Sequence, residues 1–395
     1  MAYYFIFPEK DTTIYSHPDR TKMNTGNDEI IEIVKEKGSS DPQYYPSRVL
    51  LKFKNEEIKS TIEDKIGSST FNDGTTEVAL QLLSTEHKNL ISTLNLEVFA
   101  VSQSWDEGTG RYSNLPTGSN GTSWIYRDND TDKNLWISSS TGPSSNITSS
   151  LGSNTTGSFG SSGPVTEGGG AWYTGSNFQG SQQFLQGDDL DTDIDVTTII
   201  QKHSASLFAS STYPTGIDNN GFIVKQPDSV ETSTSSSFGE MKYFSVNTHT
   251  VYPPKLAFKW DDSSHGKQSS AKQSGELNVS LYRNKEEFNQ NDEATFRIHV
   301  RDKYPIRQFA SSSNYLNPGY FTTASYYSVR DANTEQEIIP FDTSFTKLSA
   351  DTTGMYFKIY MKGLQPERYY RLLFKNTNNE GTTTYDDNYY FKIVR

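Results

Sequence analysis

The sequence predicts an all-β protein that folds as two successive sandwich domains. Apolar and polar residues alternate at period two in short segments such as Asp193–Val196, which places the aliphatic side chains on one face of a strand. Tyrosine (24) and phenylalanine (22) far outnumber methionine (5), and this composition favours strands over helices. Turn signals such as Asn220-Gly221 and Pro253-Pro254 separate the segments.

In the N-terminal half the pattern predicts a series of strands and one short helix. Asn55 can cap a helix in which Ile58, Ile62 and Ile66 share one face, and Gly67 would end it. The other predicted strands cover residues 3–7, 11–15, 28–35, 77–83, 91–101, 221–225 and 255–260. We interpret residues 172–258 as the closing half of a sandwich.

In the C-terminal half a polar, aperiodic stretch is followed by clean strand alternation. We expect a first domain over residues 1–262, a linker over 263–275 and a second domain over 276–395. The clearest alternating segments are Leu277–Leu281, Thr295–Val300, Tyr356–Tyr360 and Tyr389–Ile393. About seven strands in about 120 residues suit an immunoglobulin-like sandwich. The segment Gly363–Tyr370 is similar to the turn before a late strand in fibronectin-like domains, and its tyrosine would make a corner hydrogen bond.

A long insertion, residues 108–170, interrupts the first domain and has little hydrophobic periodicity. Residues 140–170 are almost entirely Ser, Gly, Thr and Asn, which is typical of a flexible surface segment. The alternative is a segment that orders only against a neighbouring subunit. Trp124, Tyr126 and Trp136 favour this alternative, because large aromatic residues serve as interface anchors.

The candidate binding residues of the chain are aromatic. Exposed rings can stack on sugars, whereas buried rings would pack in the core or at an interface, and both alternatives stay open. The candidates for an interface or for glycan stacking are Trp105, Trp124, Tyr126 and Trp136. Trp172 is a further aromatic candidate, for which core packing is the competing interpretation.

The best candidate metal site is an acidic row, for which calcium is the matching ion. At period two its carboxylates share one strand face, and their repulsion would be relieved by a cation. The row consists of Asp189, Asp191, Asp193 and Asp195. The spacing lacks the glycine and the final glutamate of an EF-hand loop, so the alternative is a solvated acidic segment in which Asp195 makes a local turn or cap.

The sequence offers little support for catalysis. The six histidines are scattered without metal-ligand spacing, and no nucleophile elbow, Walker loop or dinucleotide-binding glycine motif occurs. Gly168–Gly170 has no basic neighbour and no following helix, so we interpret it as a loop. Three carboxylates lie near aromatic residues in the sequence: Asp106, Glu107 and Asp128. A third possible function is therefore that of a glycoside hydrolase or lyase. We expect no enzyme and no cofactor other than calcium.

Composition narrows the partners. A formal net charge of −12 argues against nucleic acid and against an anionic membrane surface. The absence of cysteine excludes disulfides and thiolate chemistry. The first eight residues lack a basic region before the apolar run, and no segment approaches the length of a membrane span. We therefore expect synthesis in the host cytoplasm without a signal peptide.

The N-terminal half, to about residue 260, resembles the DNRLRE family. The residues that carry the resemblance, in order, are Asp11–Tyr15, Asn24-Thr25-Gly26, Arg48–Phe53, Trp172, Asp195-Val196-Thr197, Asn219–Phe222 and Pro254–Leu256. The resemblance implies a jelly-roll sandwich similar to carbohydrate-binding modules, usually found on surfaces. It implies a fold more than a function.

A second resemblance covers part of the C-terminal half. Arg301–Pro305, Tyr326–Asp331 and Ile338–Asp342 are similar to a C-terminal domain of uncharacterised virion structural proteins of marine tailed phages. It implies a virion structural protein but does not indicate which virion part. We expect a non-enzymatic protein, either a tail, baseplate or neck adaptor or a fibre-associated component. Its expected partners are other virion proteins and copies of itself. The alternative function is a carbohydrate-binding adhesin that recognises a host surface glycan through the N-terminal domain.

Overall fold

The computed structural model describes residues 2–40, 42–71, 73–114, 120–130, 133–136, 153–155, 168–173, 175–207, 216–233, 237–282, 284–305 and 318–395. It is mostly β, with 45% strand and 11% helix, and it contains several antiparallel sheets, one of them curled into a half-barrel. The all-β class is therefore confirmed. Contacts divide the chain into an N-terminal unit (Ile6–Asn72 and Glu77–Ala257) and a C-terminal unit (Met1–Phe5, Asp73–Thr76 and Phe258–Arg395).

Within the described residues, sixteen strands lie between Ala2 and Trp260. They are β1 (Ala2–Ile6), β2 (Pro8–Tyr15), β3 (Ile30–Lys37), β4 (Tyr44–Phe53), β5 (Thr76–Gln81), β6 (Ser84–Lys88), β7 (Thr93–Ala100), β8 (Tyr126–Asp128), β9 (Asn134–Leu135), β10 (Ser153–Thr155), β11 (Ala171–Tyr173), β12 (Gln179–Leu185), β13 (Ile194–Asp195), β14 (Phe222–Lys225), β15 (Glu240–Phe244) and β16 (Lys255–Trp260). The helices are α1 (Asn55–Ser60), α2 (Ser68–Phe71), α3 (Thr197–Leu207) and α4 (Asp228–Glu231). A π-helical turn covers Thr61–Ile66, and a 3-10 turn covers Tyr112–Asn114.

The main sheet of the N-terminal unit is built around β4. Its strand order is β12-β7-β14-β4-β3-β15-β6, and β2 also pairs with β4. Strand β4 is buried along most of its length, as expected for a strand with neighbours on both edges and a covered face. Strands β13 and β5 pair separately, with Ile194 opposite Leu80 and Asp195 opposite Ala79.

The predicted short helix is present, but its cap differs from the prediction. Ile58, Ile62 and Ile66 are buried along α1 and the π-helical turn, and Gly67 ends the turn with φ of 89°. The residue at the N-cap position is Lys54, which makes no side-chain cap hydrogen bond. The side chain of Asn55 instead accepts a hydrogen bond from Asn219 Nδ2 at 2.8 Å.

The strands of the C-terminal unit continue the numbering. They are β17 (Leu277–Leu281), β18 (Glu287–Asn289), β19 (Glu293–Asp302), β20 (Ser325–Asp331), β21 (Glu337–Ile339), β22 (Ser349–Asp351), β23 (Gly354–Tyr360), β24 (Tyr369–Asn378), β25 (Gly381–Tyr385) and β26 (Tyr390–Val394). Two 3-10 turns cover Gln268–Ser270 and Met361–Gly363. The four alternating segments of the sequence analysis lie within, or begin one residue before, β17, β19, β23 and β26.

Two sheets of the C-terminal unit enclose an aromatic core. One has the order β17-β19-β23-β22, and the other has the order β18-β26-β24-β20-β21, with β25 also on β24. Phe296 and Phe357 of the first sheet stack at 5.3 Å between ring centroids. Phe357 also lies 4.4 Å from the ring of Tyr327 in the second sheet. These contacts join the inner faces of the two sheets.

The start of the chain and the segment predicted as a linker both belong to the C-terminal unit. Near the start of the chain, the ring of Tyr4 packs edge-on against Tyr360 at 5.8 Å. In the segment predicted as a linker, His265 bridges to Ala350 and Ala271 bridges to Tyr320. This segment therefore has β contacts of its own within the unit. Among the described residues, no helix combines the length and apolar character that a bilayer span requires.

The predicted tyrosine corner is confirmed. Tyr370 is 2% exposed, and its hydroxyl donates a hydrogen bond of 3.0 Å to the carbonyl oxygen of Gln365. The bond spans five residues and fixes the turn that enters β24, because the phenol reaches back over the preceding loop.

Replacing Tyr370 with phenylalanine should lower the free energy of unfolding by about 1 kcal/mol, because the partly buried carbonyl of Gln365 loses this donor while the ring remains. Urea unfolding of the full chain followed by fluorescence measures the change. Tyr304→Phe is the matched control, since Tyr304 is 76% exposed, and it should change little. Equal stability of both variants would contradict a structural role for the corner bond.

Candidate functional site

The tryptophans of the N-terminal unit meet in one buried cluster, which we call the tryptophan cluster. Trp105, Trp124 and Trp136 are 5%, 0% and 3% exposed. The cluster also contains Ile14, Leu50, Phe99, Val101, Ala171, Trp172 and Ile223. Several of these partners come from β2, β4, β7 and β14 of the main sheet. The cluster therefore packs tryptophans from the insertion and from the segment just before it onto the sheet.

Hydrogen bonds orient two of these indoles. Trp105 Nε1 donates to the carbonyl oxygen of Asn220 at 2.8 Å. Trp136 Nε1 donates to the carbonyl oxygen of Ser123 at 3.0 Å. Within the described residues, the buried Nε1 of Trp124 has no hydrogen-bond partner.

The burial of these indoles favours the core-packing alternative over exposed rings that stack on a sugar. Trp105, Trp124 and Trp136 pack against the chain's own sheet, and ring faces enclosed in this way cannot stack on a sugar. Tyr126, at the start of β8, is half-buried and is the one candidate of the four with substantial exposure. The insertion residues 115–119, 131–132, 137–152 and 156–167 lie outside the described residues, so the prediction of their order stays a prediction.

A guanidinium group lies at the centre of this region. Arg48, in the middle of β4, is fully buried together with Glu231 of α4. Its Nε donates to both carboxylate oxygens of Glu231 at 3.2 Å, and its Nη1 donates to the carbonyl oxygen of Gly169 at 2.7 Å. The guanidinium carbon lies 4.7 Å from the ring centroid of Trp124 and 5.1 Å from that of Trp172. The charge is thus paired in its plane and covered by aromatic faces.

Two lysines lie close to α4 and to the pair of Arg48 and Glu231. The buried Lys225 Nζ lies 2.6 Å from Asp228 Oδ1 and 3.7 Å from Glu231 Oε2. Lys35 Nζ donates to the carbonyl oxygens of Val230 and Ser233. Burial lowers the pKa of Lys35 to about 8, against the opposing effect of Glu231. We call the three fully buried residues Arg48, Lys225 and Glu231 the buried charge network.

The glycine run Gly168–Gly170 closes over this network. All three residues have positive φ, at 106°, 81° and 95°. A Cβ on Gly169 would lie 2.5 Å from the Trp124 ring and 2.7 Å from Arg48 Nη1. Only glycine therefore fits between the guanidinium group and the indole. The prediction of a loop is confirmed, and its purpose is close approach of the backbone to the buried charge network.

The predicted calcium row does not form a metal site in the structure. Burial alternates as expected, since Leu190, Thr192, Ile194 and Val196 are buried and the aspartates between them are not. Three of the carboxylates accept hydrogen bonds from separate groups: Asp191 from Ser84 N, Asp193 from Gln81 Nε2 and Asp195 from Thr197. The fourth, Asp189, accepts one from the N–H of Asp191.

This arrangement corrects the calcium prediction for physical reasons. Each carboxylate satisfies a different neighbour, and the bond from Asp195 to Thr197 makes a local turn just before α3, as the alternative expected. Burial lowers the pKa of Lys255 to about 8, and the nearby carboxylates of Asp193 and Asp191 oppose this shift because they favour the charged ammonium group. Among the described residues, no three acidic or histidine side chains converge in a way that could hold a metal ion.

Two buried ionisable groups have opposite effects on the pH dependence of stability. Burial raises the pKa of Asp11 to about 7, although Val246 N and Ser245 Oγ donate to its carboxylate at 2.7 and 3.0 Å. Burial lowers the pKa of His203 to about 3. Within the described residues, neither ring nitrogen of His203 has a hydrogen-bond partner.

The sequence analysis missed the buried charge network, although it contained a signal. Arg48 immediately precedes the aliphatic run Val49–Leu51, and Lys225 ends a predicted core strand. A charged side chain in a core strand requires a buried partner. Glu231 could not be identified as that partner from spacing, because 183 positions separate it from Arg48.

Sequence comparisons add no relative. The search against protein-family models finds no match, and the search of curated proteins finds no significant match. The two resemblances described above therefore rest on the residues quoted for them.

Replacing Glu231 with glutamine should lower the free energy of unfolding by about 3–5 kcal/mol, because it leaves the buried Arg48 without a counter-charge. Chemical unfolding of the full chain gives the value. The control is Glu276→Gln, which removes the partner of Lys303 in an exposed ion pair and should cost less than about 1 kcal/mol. A loss for Glu231→Gln as small as that of the control would contradict the role assigned to the buried charge network.

Asp11 and His203 should tilt the pH dependence of stability in opposite directions. Between pH 4 and 7 folded Asp11 keeps a proton that the unfolded chain releases, so its contribution to stability falls as pH rises. Between pH 3 and 6.5 unfolded His203 binds a proton that the folded chain does not, so its contribution rises with pH.

The test compares unfolding free energies at pH 4.5, 5.5 and 6.5. Asp11→Asn should make the slope against pH more positive, and His203→Leu should make it more negative, each by up to about 1.4 kcal/mol per pH unit. The slope of the unfolding free energy against pH is compared, because each substitution also changes the stability by an amount that does not depend on pH. A slope unchanged by Asp11→Asn would mean that this carboxyl group titrates normally in the folded chain.

Proposed function

We propose that this chain is a non-enzymatic structural protein of a tailed-phage virion, either a tail, baseplate or neck adaptor or a fibre-associated component. The observation that supports the proposal is that the buried charged side chains of the N-terminal unit are occupied with one another. Arg48, Lys225 and Glu231 bind one another, and they hold loops on a sheet. Such an arrangement suits a rigid scaffold that acts through its surface.

The finer fold assignment is part of the proposal. In the C-terminal unit the order β17-β19-β23-β22 corresponds to A-B-E-D of an immunoglobulin-like sandwich, and β18-β26-β24-β20-β21 corresponds to A′-G-F-C-C′. The parallel pairing of β18 with β26 and the tyrosine corner at Tyr370 support this assignment. For the N-terminal unit we propose a jelly roll, supported by its eight-stranded curved sheet and by the DNRLRE resemblance.

Strand β12 offers one route to protein–protein contact. It lies at one end of the main sheet, where its sequence, Gln179–Leu185, has no charged residue. The opposite end strand, β6, carries Glu86, His87 and Lys88, and charges of this kind block unwanted edge pairing. Leu185 is 56% exposed on β12. An uncharged end strand suits pairing with a neighbouring subunit or with a second copy of the chain.

The alternative function, carbohydrate binding, is favoured by a different observation. The tryptophans expected to bind sugar are buried, but tyrosines are exposed on the outer face of the C-terminal unit. Their geometry is developed in the next subsection. A virion component and a glycan-binding module are compatible, since parts of the virion surface meet the host.

Immunogold electron microscopy of purified particles tests the virion proposal. Antibodies raised against the full chain should label one defined position on the particle, and mass spectrometry should detect the chain in the same fraction. Light scattering of the purified chain should give a discrete homo-oligomer if copies pair through β12. As a control, antibody that has been pre-adsorbed with the purified chain should give no labelling. Particles that lack the chain, while the soluble lysate contains it, would overturn the proposal.

A further inference from the structure

The outer face of the C-terminal unit carries an open pocket of about 760 Å³. Three tyrosines line it together with polar residues: Tyr369, Tyr389, Tyr390, Glu286, Glu287 and Asn388. Its volume lies within the range of about 300–1,000 Å³ that small-molecule sites occupy. Tyr369 and Tyr390 are 51% and 39% exposed, although both stand in strands that cover the core.

Strand register places these two rings side by side. On β24 and β26, Tyr370 pairs with Phe391, and both are buried. Because side chains alternate between faces, Tyr369 and Tyr390 point away from the core. Tyr369 pairs with Lys392, two residues from Tyr390, so the tyrosines are diagonal neighbours, a relation within the reach of aromatic side chains.

The third tyrosine forms a fixed wall of the pocket. Tyr389 contacts the core rings Phe391 and Phe296, and its hydroxyl donates to the carbonyl oxygen of Lys285. Burial raises the pKa of Tyr389 to about 12, and nearby Glu286 adds to the rise. The preceding residue, Asn388, has φ of 51°, and its N–H donates to Asp386 Oδ1 at 2.9 Å. The turn that presents Tyr389 and Tyr390 is thus held in place before any ligand binds.

The polar groups around the rings are mainly acceptors. Glu286 and Glu287 are exposed carboxylates. The amide of Asn284 is already occupied, since it donates to the carbonyl oxygen and accepts from the N–H of Arg297. Acceptors beside exposed aromatic rings match a ligand with apolar C–H faces and many hydroxyl donors. A proline-rich peptide would instead present carbonyl acceptors, which carboxylates do not satisfy.

We propose that this pocket binds a neutral saccharide, which stacks on Tyr369 and Tyr390 and donates hydroxyl hydrogen bonds to Glu286 and Glu287. The two carboxylates disfavour polyanionic sugars. Lys285 is the one cation among the lining residues, against the two carboxylates. Arg371 and Lys392, on the same strand faces as the two tyrosines, are paired with Asp386 and Glu367. This binding site is independent of the virion role proposed above and lies outside the N-terminal unit.

Affinity electrophoresis of the full chain tests the site. Native gels containing dextran, mixed-linkage β-glucan, galactomannan or xylan should show retardation by at least one of these neutral polysaccharides, and gels with alginate should show none. The double variant Tyr369→Ala/Tyr390→Ala should reduce the affinity about tenfold or more. Tyr369→Phe/Tyr390→Phe should retain binding, because the rings remain. Tyr304→Ala changes an exposed ring outside the pocket and is the matched control.

Three results would overturn the inference. One is the absence of retardation by every neutral polysaccharide, and another is retardation that the double alanine variant leaves unchanged. The third is retention on immobilised poly-L-proline without polysaccharide binding, which would assign the pocket to a peptide. Far-ultraviolet circular dichroism of the variants checks folding, and the phenylalanine variant separates loss of the rings from loss of the fold.

Discussion

The fully buried guanidinium group of Arg48 is the constraint on which the N-terminal unit depends. An isolated charge in a low-dielectric interior is strongly destabilising, so β4 cannot pack without a carboxylate beside it. Glu231 reaches that position only when α4 lies against the sheet, although 183 positions separate the two residues. Strand β4 and α4 therefore fold as a single unit, and any alternative register of β4 would bury the charge without its partner.

Hydrogen bonds also hold the long insertion at both ends, to Arg48 of the sheet at its exit and to the loop between β2 and β3 at its entrance. At its exit the backbone of Gly169 accepts a hydrogen bond from Arg48 and passes beside Trp124. At its entrance the amide of Asn24 donates to the carbonyl oxygens of Glu107 and Thr122 at 2.6 and 2.7 Å, and it accepts from Gly110 N at 2.7 Å. These bonds explain why asparagine and glycines recur in this part of the sequence, since they are short contacts to backbone atoms.

Period-two alternation of apolar and polar residues was the main sequence signal for the strands. It located four strands of the C-terminal unit and the outward side of the Asp189–Asp195 row, because alternation depends on local geometry alone. It did not predict the function of that row, because hydrogen bonds from Gln81 and Ser84, distant in sequence, decide where each carboxylate points. The burial of the tryptophan side chains could not be predicted for the same reason. A tryptophan in an aperiodic segment carries no signal for burial, and Trp124 became a core residue through contact with Arg48.

Aromatic doublets explain why the C-terminal unit has exposed rings as well as buried ones. In a strand, adjacent residues point to opposite faces, so Tyr369-Tyr370 and Tyr390-Phe391 each place one ring in the core and one ring outside. A buried ring does not require an aromatic neighbour, and a polar residue at position 369 or 390 would leave Tyr370 and Phe391 packed as they are. The outward rings thus contribute little to the core and place apolar area in water. A ligand-binding surface would explain the presence of these rings beside two carboxylates and a fixed turn, whereas packing alone does not.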